Sequence, residues 1–136
     1  MNLQEMINVW ILKGNLIFAL DTWLDEMKRA DIKRKEEFVQ KEPIFNTQDV
    51  NHARYKYYSG NEDFERVFIA AGVEDCCIKY SVPLPSWLEK KEYYLSVPYY
   101  AWNTKKTEHI NYMIANAPEH FKKRNLFILE NSFVRV

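Results

Sequence analysis

A chain of 136 residues, 47% hydrophobic and 28% charged, has enough apolar side chain to build one core of ordinary domain size, which excludes a disordered polar chain. Nineteen basic residues balance nineteen acidic ones, for a formal net charge of zero. No whole-molecule field therefore draws the chain to nucleic acid or to anionic lipid, and any binding has to come from local patches.

The first forty residues carry one glycine and no proline, with Leu3, Ile7, Trp10, Gly14, Ile17, Leu24 and Met27 near a three-four spacing. That periodicity predicts one long helix over about residues 2–41, ending ahead of Pro43 because the residue before a proline disfavours the helical region. Asp25 with Arg29 and Asp31 with Lys35 are acid-then-base pairs one turn apart on it. Trp10, Ile11, Leu12, Leu16, Ile17, Phe18, Leu20, Trp23 and Leu24 are more apolar groups than one side of a helix hides in a small core. The helix is therefore expected to form an oligomer or partner surface centred on Trp10, Gly14, Ile17 and Trp23, with Gly14 letting a second helix approach.

Two shorter helices are expected next, one capped by Asn46 or Thr47 and running to Ser59 before Gly60, the other capped by Asn61 and stopped by Gly72. Residues 76–82 alternate, with Cys76, Ile78, Tyr80 and Val82 on one face, and predict a strand. Residues 93–100 repeat the pattern, and Pro98 assigns them to a sheet edge. Ile110, Met113, Ile114 and Ala117 share one side of a helix that starts near Asn103 or Thr104 and breaks at Pro118, followed by a basic turn to Arg124. Strands over 126–129 and 133–136, joined by a hairpin at 130–132, close the chain. The fold class that follows is α+β in a single domain over 1–136. It has N-terminal helices, one of them long, and a body over about 46–136 with a small, mainly antiparallel sheet and a further helix.

Chemistry is sparse. The isolated glycines Gly14, Gly60 and Gly72 cannot form a phosphate-cradling loop. Adjacent Cys76 and Cys77 offer neither a disulfide nor a zinc pair, and read as packed thiols. His109 and His120 each follow a glutamate but lie too far apart for a helical metal pair, so no metal and no cofactor is expected. Among the carboxylates, Glu62, Asp63 and Glu65 fit a helix start, while Glu74 and Asp75 lie further on. A histidine, a carboxylate and a cysteine assembled in space remain open as a thiol site.

The densest anomaly is the aromatic segment in which Trp87, Tyr94, Tyr99, Tyr100 and Trp102 lie near Lys105 and Lys106. Within it, Val97-Pro98-Tyr99-Tyr100-Ala101-Trp102 resembles a strand motif of the large bacterial β-L-arabinofuranosidases, which implies an aromatic strand and nothing about function. Rings beside cations suit a protein interface, or alternatively bases stacked with their phosphates on lysines. The expected function is thus a non-enzymatic, macromolecule-binding protein, a small inhibitor of the immunity or counter-defence type, with a protein partner and homo-oligomerisation. A nucleotide or single-stranded nucleic-acid binder is the alternative, and a small hydrolase the third reading. The longest apolar run, residues 9–20, is interrupted by Lys13, Gly14 and Asn15 and falls short of the about 20 residues that span a bilayer. With an acidic opening that lacks a secretory basic region, a cytoplasmic protein with no membrane contact is expected.

Overall fold

The computed structural model describes residues 1–45, 63–101 and 104–128. Among these residues the protein is mainly helical, with six α-helices and one pair of two-residue strands, so the expected α+β fold with a mainly antiparallel sheet is corrected to a helical one. The described residues gather into two compact units, the first from residues 1–45 and 77–87, the second from residues 63–76, 88–101 and 104–128.

In the first unit the expected long helix is three helices, because each junction carries its own stop and start. Helix α1 (Leu3–Lys13) opens with a capping box. The Asn2 side chain accepts from the Glu5 amide at 2.8 Å, and the Glu5 carboxylate accepts from the Asn2 amide at 3.3 Å. It closes at Gly14, whose φ of 67° lies in the left-handed region that glycine enters without strain, and whose amide donates to the Trp10 carbonyl at 2.7 Å. Asn15 immediately caps α2 (Leu16–Arg29) by accepting from the Phe18 amide at 3.0 Å. Ala30 then turns extended, and Asp31 caps α3 (Ile32–Gln40) by accepting from the Arg34 amide at 2.9 Å.

The three-four spacing survives these breaks because α1 and α2 pack on each other. Leu3, Met6, Ile7 and Trp10 are buried from α1, and Leu20, Trp23, Leu24 and Met27 from α2. Further along, the Gln4 side-chain amide clasps the backbone of Ile44, its Nε2 donating to the carbonyl at 3.3 Å and its Oε1 accepting from the amide at 2.7 Å. Lys35 donates to the Ala30 carbonyl and lies over the Tyr80 ring at 4.8 Å, so it does not make the pair with Asp31 that the spacing suggested.

Helix α4 (Phe64–Lys79) begins among the residues of the second unit and ends among those of the first. It overturns two expectations: Gly72 lies inside it, and residues 76–79 are helical where a strand was expected. Phe64, Val67, Ile69, Ala70, Ala71, Val73, Cys76 and Cys77 are all buried, and periodicity alone cannot separate a helix apolar on most sides from a buried strand. The helix closes in a Schellman pattern, the Val82 amide donating to the Cys77 carbonyl at 2.8 Å and the Ser81 amide to that of Ile78 at 3.3 Å. Ser81 occupies the left-handed position, φ 56°, where glycine is usual.

In the second unit the expected strand over 93–100 reduces to β1 (Tyr99–Tyr100), while Tyr93 belongs to a 3-10 turn, Lys91–Tyr93. Helices α5 (Thr107–Asn116) and α6 (Glu119–Lys122) follow, the break between them falling at Pro118 as its missing amide requires. Strand β2 (Leu126–Phe127) pairs parallel with β1, Tyr99 opposite Leu126 and Tyr100 opposite Phe127. Parallel pairing needs a crossover, and the chain between the two strands supplies it. The core here is aromatic: Phe64 meets Tyr99 edge-on at 4.8 Å, Phe68 meets Phe121 at 5.9 Å, and Tyr100 stacks on Phe127 at 5.1 Å. The expected helix over 47–59, the hairpin at 130–132 and the strand over 133–136 lie outside the described residues.

Candidate functional site: a buried glutamate clamp and a charged groove

Glu74 points from the middle of α4 into the second unit with 2% of its side chain exposed. A carboxylate at that depth is stable only with its charge matched and its oxygens bonded. The segment around α6 meets both needs: Arg124 Nη2 donates to Glu74 Oε1 at 2.6 Å, and Lys123 Nζ donates to Oε2 at 2.7 Å. His120 Nδ1 reaches the same Oε2 at 2.8 Å. Burial by itself raises the Glu74 pKa, but the hydrogen bonds from Lys123 and Arg124 and the attraction of their charges outweigh it and hold the carboxyl below its ordinary range. The group is an ionised acceptor.

Arg124 is wholly buried and ties four segments together. Besides Glu74, its Nη1 donates to the carbonyls of Leu88 at 3.1 Å and Tyr93 at 2.9 Å, and its guanidinium lies over the Tyr94 ring at 4.4 Å. A planar fork with five donors is the side chain suited to such a junction. Asn125, at φ 65°, adds a bond from its side chain to the Leu95 carbonyl at 2.8 Å, and the Arg124 carbonyl receives the Leu95 amide at 3.1 Å. Tyr94 in turn donates its hydroxyl to Glu89 at 3.1 Å. Burial raises its phenol pKa, with Arg124 opposing and Glu89 reinforcing the rise.

Tyr94 also lines an open groove of about 680 Å³ with Asp63, Arg66, Lys91, Glu92, Leu95 and Ser96. Two acids face two bases there, and Arg66 is already engaged, with Asp63 at 3.2 Å and Glu92 at 3.8 Å. Among the described residues no group of His, Cys, Asp and Glu is arranged to hold a metal ion.

The residues singled out from sequence separate. Trp87 is buried in the first unit, its Nε1 donating to the Val39 carbonyl at 3.0 Å. Tyr99 is buried against Phe64, Tyr100 is half-buried on Phe127, and among the described members of the set Tyr94 alone lines the groove. Lys105 and Lys106 are exposed ahead of α5, while Trp102 lies outside the described residues. Of the expected partner helix, Trp10 and Trp23 are wholly buried and Gly14 is the α1 cap. Ile17 is 60% exposed, and beside it Leu12 at 78% and Phe18 at 52% stand out around the turn between α1 and α2. Glu74 and His120 were legible as a carboxylate and a histidine but not as partners, because 46 residues separate them. Arg124 carried no signal beyond its place at the end of a basic turn.

Comparison with known proteins finds no matching family model, no matching curated relative and no matching solved structure. No helix among the described residues is long and apolar enough to cross a membrane.

Proposed function

We propose that the chain is a non-enzymatic protein-binding protein whose partner seats on the corner formed by the end of α1 and the start of α2. The observation that supports this reading is the exposure of Leu12, Ile17 and Phe18 at one turn. Single exposed apolar residues are ordinary, but three large ones flanking a rigid capped turn are the kind of patch that monomers keep covered. Gly14 and Asn15 fix that turn through paired caps, so the patch is preorganised and loses little freedom on binding. The aromatic segment contributes less surface than its composition suggests, since Trp87 and Tyr99 are spent on packing.

The experiment is sedimentation and affinity capture of the wild-type chain beside Leu12→Ser, Ile17→Ser and Phe18→Ser. Loss of a self-association or of a captured protein in these variants, at unchanged melting temperature, supports the reading. A wild-type chain that sediments as a monomer and captures nothing refutes it.

A further inference from the structure

The Glu74 clamp dictates which nitrogen of His120 carries a proton. Ionised Glu74 only accepts, and its Oε2 lies 2.8 Å from Nδ1, so Nδ1 must bear the hydrogen in the neutral as well as the charged imidazole. The lone pair of neutral His120 is thereby placed on Nε2. That atom makes no hydrogen bond among the described residues, and 23% of the His120 side chain is exposed, so an incoming group has access to the ring. A buried carboxylate behind one nitrogen and an open lone pair on the other is how proteins orient a histidine to attack or to coordinate.

The surroundings select the electrophile. Lys123 Nζ shares Oε2 with His120 and is exposed, so a cation stands on the same carboxylate as the imidazole and favours an incoming group that carries negative oxygens. Glu74 meanwhile stabilises the positive imidazole that attack through Nε2 produces. We propose that His120 is a phosphoryl-acceptor site, modified at Nε2 by a small phosphoryl donor. In the step the Nε2 lone pair attacks phosphorus and a P–N bond forms, while the bond from phosphorus to the donor's leaving group breaks. The leaving group departs with the electron pair, and Nδ1 keeps its proton on Glu74. The site is independent of the apolar corner of the first unit and does not rest on the protein-binding reading.

The test uses the whole chain and phosphoramidate as the donor, with peptide mapping to follow His52, His109 and His120 side by side and phosphorus NMR to distinguish the two ring positions. His109 is an internal reference: it is exposed and its Nδ1 has only a long contact, 3.4 Å, to the Thr104 hydroxyl. The expected result is that His120 is labelled first, at Nε2, and that Lys123→Gln slows it. Glu74→Gln slows it roughly tenfold or more, the usual effect of removing a carboxylate that orients a histidine. Because Glu74→Gln also threatens the fold, nitrogen NMR of the wild-type chain gives a second measurement, and it should show neutral His120 protonated at Nδ1. Labelling of His120 no faster than His109, labelling at Nδ1, or a neutral form protonated at Nε2 each overturns the proposal.

Discussion

Replacing Glu74 by Gln removes the one negative charge that, among the described residues, pairs with Arg124 and Lys123 in the second unit. Arg124 is wholly buried and retains its two carbonyl partners, Leu88 and Tyr93, but its charge is no longer balanced. Breaking a buried pair from one side costs about 3–5 kcal/mol. Lys123 is exposed enough to turn to water, so its share is small, and the lower end, about 3 kcal/mol, is expected from the arginine term. For a chain of this size that corresponds to a fall of roughly 10 °C in melting temperature.

The assay is urea and thermal unfolding near neutral pH of Glu74→Gln, Arg124→Met and the double variant Glu74→Leu with Arg124→Met. The double variant should recover part of that loss, since an apolar pair leaves no buried charge behind, but it should stay below wild type because the Leu88 and Tyr93 carbonyls lose their donor. Acidity gives an independent reading. Glu74 is held below its ordinary pKa of 4.5, so its contribution is present above that value and is lost as pH falls through the lowered folded value. Wild type should therefore lose stability more steeply than Glu74→Gln through that acid window. A loss below about 1 kcal/mol in Glu74→Gln, the scale of a single ordinary hydrogen bond, would refute the clamp as a stabilising centre.

Gly14→Ala places a Cβ at φ 67° and should cost about 1 kcal/mol in urea unfolding, whereas Ser81→Gly relieves the left-handed position closing α4 and should gain about 0.5–1 kcal/mol. Trp23→Ala empties a wholly buried site in α2 and is expected to lose about 3–5 kcal/mol, against less than about 0.5 kcal/mol for exposed Phe18→Ser. Lys105→Ala with Lys106→Ala, exposed ahead of α5, should leave the melting temperature unchanged and alter only the association rate of a protein partner. A salt slope reduced by roughly one unit per lysine would instead favour the nucleic-acid alternative.

Helix was legible wherever its signal was local. The caps at Asn2, Asn15 and Asp31 each stand in the sequence, but the apolar spacing through residues 3–27 runs across the Gly14–Asn15 junction without a phase error large enough to show, and a single long helix fits it equally well. Gly14 was ambiguous for the same reason: a glycine in a helical pattern serves as a close-approach point or as a left-handed stop, and the Asn that follows is what decides. Around residues 76–82 the alternation was real but misleading. Cys76 and Cys77 are both buried and Ile78 is exposed, an order a strand cannot produce and a helix can. The difference lies in which neighbours cover the chain, and those are not adjacent to it in sequence.

The site was less legible than the fold because its members are brought together only by tertiary packing. In the sequence Glu74 stands only as a carboxylate beyond the three that fit a helix start; it lies in the third turn of α4, too far from the N-terminus for the helix dipole to stabilise it. A carboxylate in that register, among Ala70, Ala71, Val73 and Cys77, all buried, requires a buried cation from elsewhere in the chain. The chain's basic residues that follow a break and precede an apolar strand are Lys122, Lys123 and Arg124, and the arginine among them is the one whose fork can satisfy a carboxylate and two carbonyls at once. On that reasoning Arg124→Lys is not a mild change. A lysine offers a point charge and tetrahedral donors in place of the fork, and it cannot lie flat on the Tyr94 ring. It should lose about 2 kcal/mol or more, the worth of charged hydrogen bonds left unmade. A lysine variant as stable as wild type would show that charge alone, not the geometry of the guanidinium, holds this part of the chain together.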